Sequence, residues 1–316
     1  MNNFNEENIT NSISRYVEWV SCDQCKSQEY TTIYPSTFVK EHFQFDKSES
    51  FKYASPDQAR GNIVKCKNCG LIYMNPRDID IEKVYENVTH DDYYLSSTLD
   101  RISTCERDKE KMEKVIGLGK GRRLLDVGCS YGLFMDVCKD VGWDVYGCEL
   151  SKIQYDYTKK KHKKIHNTEV SKSGFIDNFF DVVTLFDVIE HLTSPTKFLK
   201  EVHKVIKPGG YFIACTPNIS SWQAKFFGKK WLNYARMHIY YFTPKSLTKM
   251  LETNGFKVVR VQKHKRVIQV GTALSWMKKN PTVYKIMKFF LGNRIISKIK
   301  LLSSMSGNMV VYAKKQ

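Results

Sequence analysis

Two acidic residues and a glycine-spaced loop carry the most specific chemistry in this sequence. Asp126 ends a short apolar run, and Gly128 and Gly132 follow at a spacing typical of a strand, a tight turn and a helix. Such glycines allow unusual backbone dihedral angles and a close approach to a ligand. About twenty residues later, a second apolar stretch ends in Glu149. We therefore expect both carboxylates at the carboxyl ends of neighbouring parallel strands, where α/β sheets bind ligands.

The position of Asp126 indicates which ligand such a site would accept. A dinucleotide-binding loop presents a helix N-terminus to a pyrophosphate, and a carboxylate two residues before the first glycine would repel that group. A carboxylate at this place suits an ammonium or a sulfonium. An acid at the position of Glu149 accepts hydrogen bonds from ribose hydroxyls. The two acids together predict a site for a nucleoside with a cationic tail, and a plain βα turn is the structural alternative.

These residues resemble the first motif of the class I S-adenosylmethionine-dependent methyltransferases, which runs acid-x-Gly-x-Gly-x-Gly. The chain has a serine, Ser130, in place of the middle glycine. The resemblance implies an α/β fold with a Rossmann-like, seven-stranded, mostly parallel sheet and helices on both faces. It also implies methyl transfer with S-adenosyl-L-methionine as cofactor. The cofactor-binding residues that it implies are Asp126, Gly128, Cys129, Ser130, Gly132, Glu149, Leu150, Asp187 and Val188.

Two histidines are the candidates for a general base. His191 follows the strongly apolar fourth strand of the expected sheet, in a segment that resembles the matching segment of the same family. His238 lies in an aromatic-rich stretch after the fifth strand, which would form either a roof over the pocket or a hydrophobic cap on the sheet. Histidine titrates near neutral pH and could remove the proton of a hydroxyl or amine acceptor. A purely structural role is the alternative for each histidine.

Four of the nine cysteines form two Cys-x2-Cys pairs, Cys22 with Cys25 and Cys66 with Cys69. Two such turns can complete a tetrahedron around zinc, and because the protein fills all four positions the site would be structural. Four buried cysteines without metal are the alternative. The pairs and the strand after them resemble a bacterial branch of the methyltransferases that carries a zinc ribbon ahead of the catalytic domain. Relatives of this kind often serve cell-surface glycan or natural-product pathways.

Pattern changes along the 316 residues predict six segments. The region before the core is expected to include an amphipathic helix, and Tyr93 and Tyr94 there are candidates for a lid over the cofactor. The predicted segments are a disordered tail at 1–15, a zinc-ribbon domain at 16–80, linker and lid helices at 81–118, the cofactor-binding core at 119–265, a basic helical insertion at 266–306 and the final core strand at 307–316.

The net charge of +17 is concentrated at the C-terminal end. No Asp or Glu follows Glu252, and 253–316 contain fourteen Lys and Arg residues. Such a segment attracts phosphates. We rank the roles of the basic insertion at 266–306 in the order packing on the core, contact with an anionic membrane, and nucleic-acid binding. The polar N-terminus, the absence of a long apolar run and the cysteine pattern predict a cytoplasmic protein, with peripheral contact at the inner face of the membrane as an option.

Three functions fit this sequence. The first is methyl transfer to oxygen, nitrogen or carbon of a small-molecule, sugar or glycan-precursor acceptor. The second is RNA methylation with the ribbon and the basic segment as RNA contacts, although an Asn-Pro-Pro-aromatic motif is absent after the fourth strand. The third is a scaffold that keeps the fold without catalysis. Calorimetry with S-adenosylmethionine separates the third from the other two.

Overall fold

The computed structural model describes residues 17–36, 61–79, 98–235, 237–276, 285, 288 and 296–316. The predicted tail at 1–15 and the lid candidates Tyr93 and Tyr94 lie outside these residues, as does most of 277–295. The described residues include every predicted cofactor contact, both histidines and all four paired cysteines.

The described strands and helices alternate through most of the chain. The first strands are β1 Val17–Glu18, β2 Tyr30–Tyr34, β3 Ile63–Cys66, β4 Ile72–Met74 and β5 Arg77–Asp78. They are followed by β6 Arg123–Val127, β7 Asp144–Cys148, β8 Ile165–His166, β9 Phe180–Phe186 and β10 Ile206–Pro217. The last strands are β11 Tyr240–Tyr241, β12 Phe256–Lys263, β13 Arg266–Gln269, β14 Lys300–Ser303 and β15 Asn308–Lys315. The α-helices are α1 Thr98–Ile116, α2 Leu133–Lys139, α3 Lys152–Lys159, α4 Pro195–Val205, α5 Trp222–Phe227, α6 Pro244–Thr253 and α7 Val270–Trp276.

The central sheet has seven strands in the order β8-β7-β6-β9-β10-β15-β12. The neighbours from β8 to β10 are parallel, and β15 runs antiparallel to both β10 and β12. The predicted seven-stranded, mostly parallel sheet is therefore confirmed. The chain reverses its direction of strand addition between β8 and β9, which is the point where such sheets bind ligands.

Both faces of the sheet are buried because the strand residues are apolar on both sides. Successive side chains point to opposite faces, so Leu124 and Leu125 of β6 belong to two different clusters. Leu125 packs in the cluster that includes Leu199 of α4, and Leu124 packs in the cluster that includes Phe134 of α2. The helices on the two faces fix the height and direction of the strand ends that carry the site.

Helix α1 has the apolar face that the sequence predicts, since Met112, Val115 and Ile116 pack in the cluster of Leu124 and Phe134, but it also buries polar residues that the sequence did not indicate. Its buried residues include Asp100, and its polar side chains bind β13. Asp100 Oδ1 accepts from Gln269 N at 3.0 Å, and Thr104 Oγ1 accepts from Val267 N at 2.9 Å. Backbone N–H groups of β13 satisfy Asp100 Oδ1 and Thr104 Oγ1, which lowers the cost of burying these side chains, whereas Asp100 Oδ2 is buried without a hydrogen-bond partner.

The predicted helical insertion at 266–306 is only partly helical in its described residues. Strands β13 and β14 form a two-stranded antiparallel ribbon, and α7 follows β13 directly. The β-branched Val267 and Ile268 favour a strand at this place. Among the described helices, none combines the length and the apolar composition that crossing a bilayer requires.

The paired cysteines lie beside a four-stranded sheet with the order β2-β3-β4-β11. Its edge strand β11 comes from the segment between β10 and α6, with Tyr240 opposite Tyr73 and Tyr241 opposite Ile72. The segment predicted as a separate domain at 16–80 therefore shares a sheet with a segment of the predicted core. Its buried side chains also belong to the same apolar cluster as the sheet residues of the core.

Candidate functional site

Asp126 lies near the carboxyl end of β6 and is buried, with 4% of its surface exposed. Thr184, the neighbouring residue in β9, donates its hydroxyl to Asp126 Oδ1 at 2.7 Å. Burial raises the pKa of Asp126 to about 7, the Thr184 hydrogen bond lowers it in part, and the nearby charge of Glu149 raises it further. A positive charge beside this carboxylate would therefore favour its ionised form.

Glu149 follows β7 and holds the glycine-spaced loop in place. Its Oε2 accepts from Ser130 N at 2.8 Å, and its Oε1 accepts from Ser151 N at 2.8 Å. Burial raises the pKa of Glu149, and the backbone N–H donors oppose that rise. Each carboxylate oxygen can accept two hydrogen bonds. Glu149 can therefore also accept hydrogen bonds from ribose hydroxyls.

The loop between β6 and α2 adopts left-handed backbone conformations at three alternate residues. The φ angles are +70° at Gly128, +50° at Ser130 and +76° at Gly132. A Cβ atom on Gly128 would stand 2.6 Å from Val188 Cγ2, so glycine is required there by the close approach of the next rim segment. Ser130, the departure from the family motif, is held in its left-handed conformation by Thr158, whose hydroxyl donates to Ser130 O at 2.7 Å.

Asp187 and Val188 form the rim at the carboxyl end of β9. Asp187 has a φ of +55°, and its N–H donates to Cys215 O of β10 at 2.9 Å. Its carboxylate accepts from Arg266 Nη2 and Asn308 Nδ2, each at 2.8 Å. The C-terminal segments therefore hold the rim in place on one side, while Val188 contacts the glycine-spaced loop on the other.

His191 and His238 lie together, with ring centroids 4.7 Å apart. His191 Nδ1 donates to Met237 O at 2.8 Å and His238 Nδ1 donates to Asn233 O at 2.9 Å, so Nε2 carries the lone pair in each neutral ring. Burial lowers the pKa of His238, which favours its neutral form.

Glu190 lies beside this histidine pair and is 1% exposed. Thr216 donates its hydroxyl to Glu190 Oε2 at 2.9 Å, whereas Oε1 is buried without a hydrogen-bond partner. Ligand-type atoms of Glu190, His191 and His238 all lie within 4.8 Å of one another. Burial raises the pKa of Glu190 well above its ordinary range, with the charge of Asp187 adding to the rise.

A cavity of about 310 Å³ opens beside Glu149, at the carboxyl ends of β7 and β8. Leu150 offers an apolar side chain there that is 39% exposed. Asn167 donates to Glu149 O at 2.7 Å and to Leu150 O at 3.0 Å, so it fixes this backbone. The lining residues are Leu150, Lys152, Asn167, Thr168, Glu169 and Lys172.

The four paired cysteines converge, as the spacing predicts. The Sγ atoms of Cys22 and Cys69 are 3.4 Å apart, those of Cys25 and Cys66 are 3.5 Å apart, and all four lie within 4.8 Å of one another. The residue after each pair, Lys26 and Gly70, has a φ of +60° and +79°. The two turns thus have matching backbone geometry.

The structure brings the predicted cofactor residues to one edge of the central sheet. For the last residues of the aromatic stretch it favours the hydrophobic cap over the roof. Tyr240, Tyr241 and Phe242 are at most 3% exposed and pack into the apolar cluster that β4 shares. None of the three lines the cavity beside Glu149, and Tyr240 instead lines a cavity at the first cysteine turn, with Asp23 and Arg77. Sequence reasoning missed the support residues Thr184 and Asn167. Only their positions opposite Asp126 and after β8 could have indicated them.

The order of the seven strands, with one antiparallel strand next to the last, and a site at their carboxyl edge define the class I methyltransferase fold. The same fold occurs in a solved structure, a complex between the Haloferax volcanii Trm112 methyltransferase activator and a protein described as a methyltransferase. The matching chain of that complex has a TM-score of 0.50 and 12% sequence identity to this chain. That similarity covers 70% of this chain and 94% of the other. Residues 88–261 match the family model described as a methyltransferase domain, which is more than half of the chain. The chain belongs to this methyltransferase-domain family.

Two curated relatives are similar over the core alone. A Mycolicibacterium smegmatis protein named as an S-adenosylmethionine-dependent methyltransferase is 30% identical over 140 residues, covering 44% of this chain and 53% of that protein. A ubiquinone biosynthesis O-methyltransferase of Aliivibrio fischeri is 27% identical over 151 residues, covering 43% of this chain and 64% of the relative. The chain therefore spans less than two thirds of the length of either relative.

Proposed function

We propose that this protein transfers the methyl group of S-adenosyl-L-methionine to a small-molecule, sugar or glycan-precursor acceptor. The observation that carries the proposal is the pairing of Asp126 and Glu149 at one sheet edge, with Glu149 bound to the glycine-spaced loop through Ser130 N. Their donor chemistry suits the cofactor, because Asp126 can face a cation and Glu149 can accept from ribose hydroxyls. The cavity beside Leu150 suits the nucleoside base.

Isothermal titration calorimetry with S-adenosyl-L-methionine tests the cofactor site. Asp126→Ala and Glu149→Ala should each weaken binding about tenfold to a hundredfold, the loss expected for a charge-assisted hydrogen bond. Asp140→Ala is the matched control, because Asp140 is an exposed acid at the end of α2, away from the rim. A wild-type chain that gives no binding heat would favour the scaffold over the enzyme.

When bound, S-adenosyl-L-methionine supplies an electrophilic methyl group, and the chain's own residues need to orient the acceptor and take up its proton. His191 Nε2 is the proposed base, because the Nδ1–H bond to Met237 O leaves the lone pair on Nε2. His238 is its neighbour and the second candidate. Glu190 lies beside both and its unpaired oxygen can stabilise the protonated ring.

His191→Ala should lower kcat by a factor of about 10² to 10⁴, the range for loss of a general base, and leave cofactor affinity unchanged. The acceptor for this assay is identified by mass spectrometry of small molecules that co-purify with the protein. His238→Ala in the same assay shows which ring is the base. Equal turnover in wild type and both variants would remove the base assignment.

We also infer that the four paired cysteines hold a structural zinc ion. The geometry fits, because a zinc–sulfur distance of about 2.3 Å places tetrahedral sulfurs roughly 3.8 Å apart, and the observed distances include 3.4 and 3.5 Å. With four thiolates the coordination sphere would be filled, so the ion would stabilise the fold and take no part in methyl transfer.

A further inference from the structure

Two surface segments meet at the edge of the sheet that carries the site. The first, 218–235, follows β10 and contains α5, and the second, 296–307, leads into β15. They are joined by hydrogen bonds, since Gln223 Nε2 donates to Ser304 O at 2.6 Å. We call the combined surface of 218–235 and 296–307 the lysine–apolar face.

Large apolar side chains are exposed on this face in unusual number. Trp222 and Phe226 lie on α5, Leu232 lies in the loop after α5, Leu302 lies in β14, and Met305 lies in the turn after β14. The exposed fractions are 53% for Trp222, 75% for Phe226, 73% for Leu232, 58% for Leu302 and 59% for Met305. Large apolar side chains that are exposed on two hydrogen-bonded segments indicate an interaction site on a folded protein.

The same face is uniformly basic. Neither segment contains an Asp or a Glu. Its exposed lysines are Lys225, Lys229, Lys230, Lys298 and Lys300. Aromatic and aliphatic side chains next to lysines without acids match the interface of an anionic bilayer, where apolar groups enter the acyl boundary and lysines bind the lipid phosphates.

We propose that the lysine–apolar face docks on an anionic lipid bilayer and presents the site to an amphiphilic acceptor held in that bilayer. The face adjoins the site, because Asn308 follows its second segment directly and donates to Asp187 Oδ1 of the rim at 2.8 Å. This inference rests on the proposed function for the nature of the acceptor, whereas membrane docking itself does not depend on methyl transfer. It moves the expected membrane contact from the whole of 266–306 to α5, its following loop and the β14 turn.

Co-sedimentation of the full chain with lipid vesicles tests the proposal. Wild type should bind phosphatidylcholine vesicles that contain phosphatidylglycerol and should not bind phosphatidylcholine alone. The apolar variant is Phe226→Ser with Leu302→Ser, and the charge variant is Lys225→Ser with Lys230→Ser. Each pair should lose about tenfold or more in vesicle affinity, since buried apolar groups and lysines both contribute to interfacial binding.

Matched controls come from the opposite edge of the sheet. Leu118 and Ile176, which are 80% and 67% exposed, precede β6 and β9. Leu118→Ser with Ile176→Ser, and Lys160→Ser with Lys163→Ser, should keep wild-type vesicle binding. Equal loss in these controls, or wild-type binding that the face variants do not change, overturns the proposal.

RNA is the competing partner for a basic surface, and it gives a different pattern. Binding to single-stranded RNA that the lysine variant loses and the apolar variant keeps, without vesicle binding, would overturn membrane docking. Calorimetry with S-adenosyl-L-methionine on each variant keeps the two proposals separate. The face variants should bind the cofactor as wild type does, and a wild type that binds vesicles but no cofactor would refute the enzyme proposal alone.

Discussion

Asp23 accepts a hydrogen bond from the backbone N–H of Thr196, with Oδ2 and N separated by 2.7 Å. Asp23 lies in the first Cys-x2-Cys turn, whereas Thr196 is in the first turn of α4. Ser194, the residue before α4, also donates its hydroxyl to Asp23 Oδ1 at 3.0 Å. Helix α4 therefore receives its N-terminal cap from the cysteine-containing unit, directly after the segment that carries His191.

Asp23→Ala should lower the free energy of unfolding by about 1–2 kcal/mol, because an N-cap of α4 is lost. Urea denaturation followed by circular dichroism measures this change. The control is Lys26→Asn, which removes the 3.1 Å ion pair to Asp23 but keeps a residue that tolerates the φ of +60°. Lys26 is largely exposed, so the control should change stability little. An equal loss in both variants would show that the cap itself contributes nothing.

Cysteine replacement separates metal binding from packing. Cys66→Ser should release zinc, lower the melting temperature and loosen the sheet that β11 shares, because structural zinc contributes folding free energy. Cys138→Ser is the comparison, since Cys138 is also buried but lies outside the paired turns. It should lose stability through packing and retain one zinc per chain by plasma mass spectrometry. A Cys66→Ser protein with undiminished zinc would exclude the four-cysteine site.

The central sheet and the two acids could be predicted from the sequence because their signals are local. Asp126 and Glu149 each end an apolar run, and parallel strands place such ends at one edge. Strand β9 was predictable in the same way, because most of its residues are apolar, as expected of a strand buried on both faces.

The edges of the fold could not be predicted because they depend on contacts between distant segments. Tyr240 pairs with Tyr73 across more than 160 residues, and no local pattern shows that β11 belongs to the cysteine sheet. The buried polar residues of α1 likewise find their partners far along the chain, since Asp100 accepts a hydrogen bond from the backbone N–H of Gln269 in β13. Long-range partners of polar side chains were therefore the main information that the sequence lacked.

The close contact between Gly128 and Val188 provides a test of the loop. Gly128→Ala would place a Cβ 2.6 Å from Val188 Cγ2 at a φ of +70°, so cofactor affinity should fall. Adding Val188→Ala removes the clash but not the backbone strain of about 1–2 kcal/mol, so affinity should recover only in part. Gly174→Ala, with a φ of +76° and open space around it, isolates the strain at a distant site. It should lower stability without weakening cofactor binding, and a Gly128→Ala protein of wild-type affinity would contradict the proposed role of the loop.

The raised pKa of Asp126 predicts opposite pH effects on stability and on cofactor binding. The pKa rises from an ordinary 3.8 to about 7 in the folded chain, so the folded state holds this proton more tightly than the unfolded state. The free energy of unfolding should therefore decline, through this group, as the pH rises from 3.8 towards 7, and level off above that. Asp126→Asn lacks the group and should lack this part of the decline.

Cofactor affinity should follow the reverse course, because a cationic ligand favours ionised Asp126. Calorimetry from about pH 5 to about pH 8 should show wild-type binding that strengthens up to about pH 7 and then changes little. Asp126→Asn should bind more weakly and with a flatter profile, whereas Asp140→Asn, an exposed acid away from the site, should reproduce the wild-type curve. A wild-type affinity that weakens over this range would show that Asp126 does not supply the negative charge.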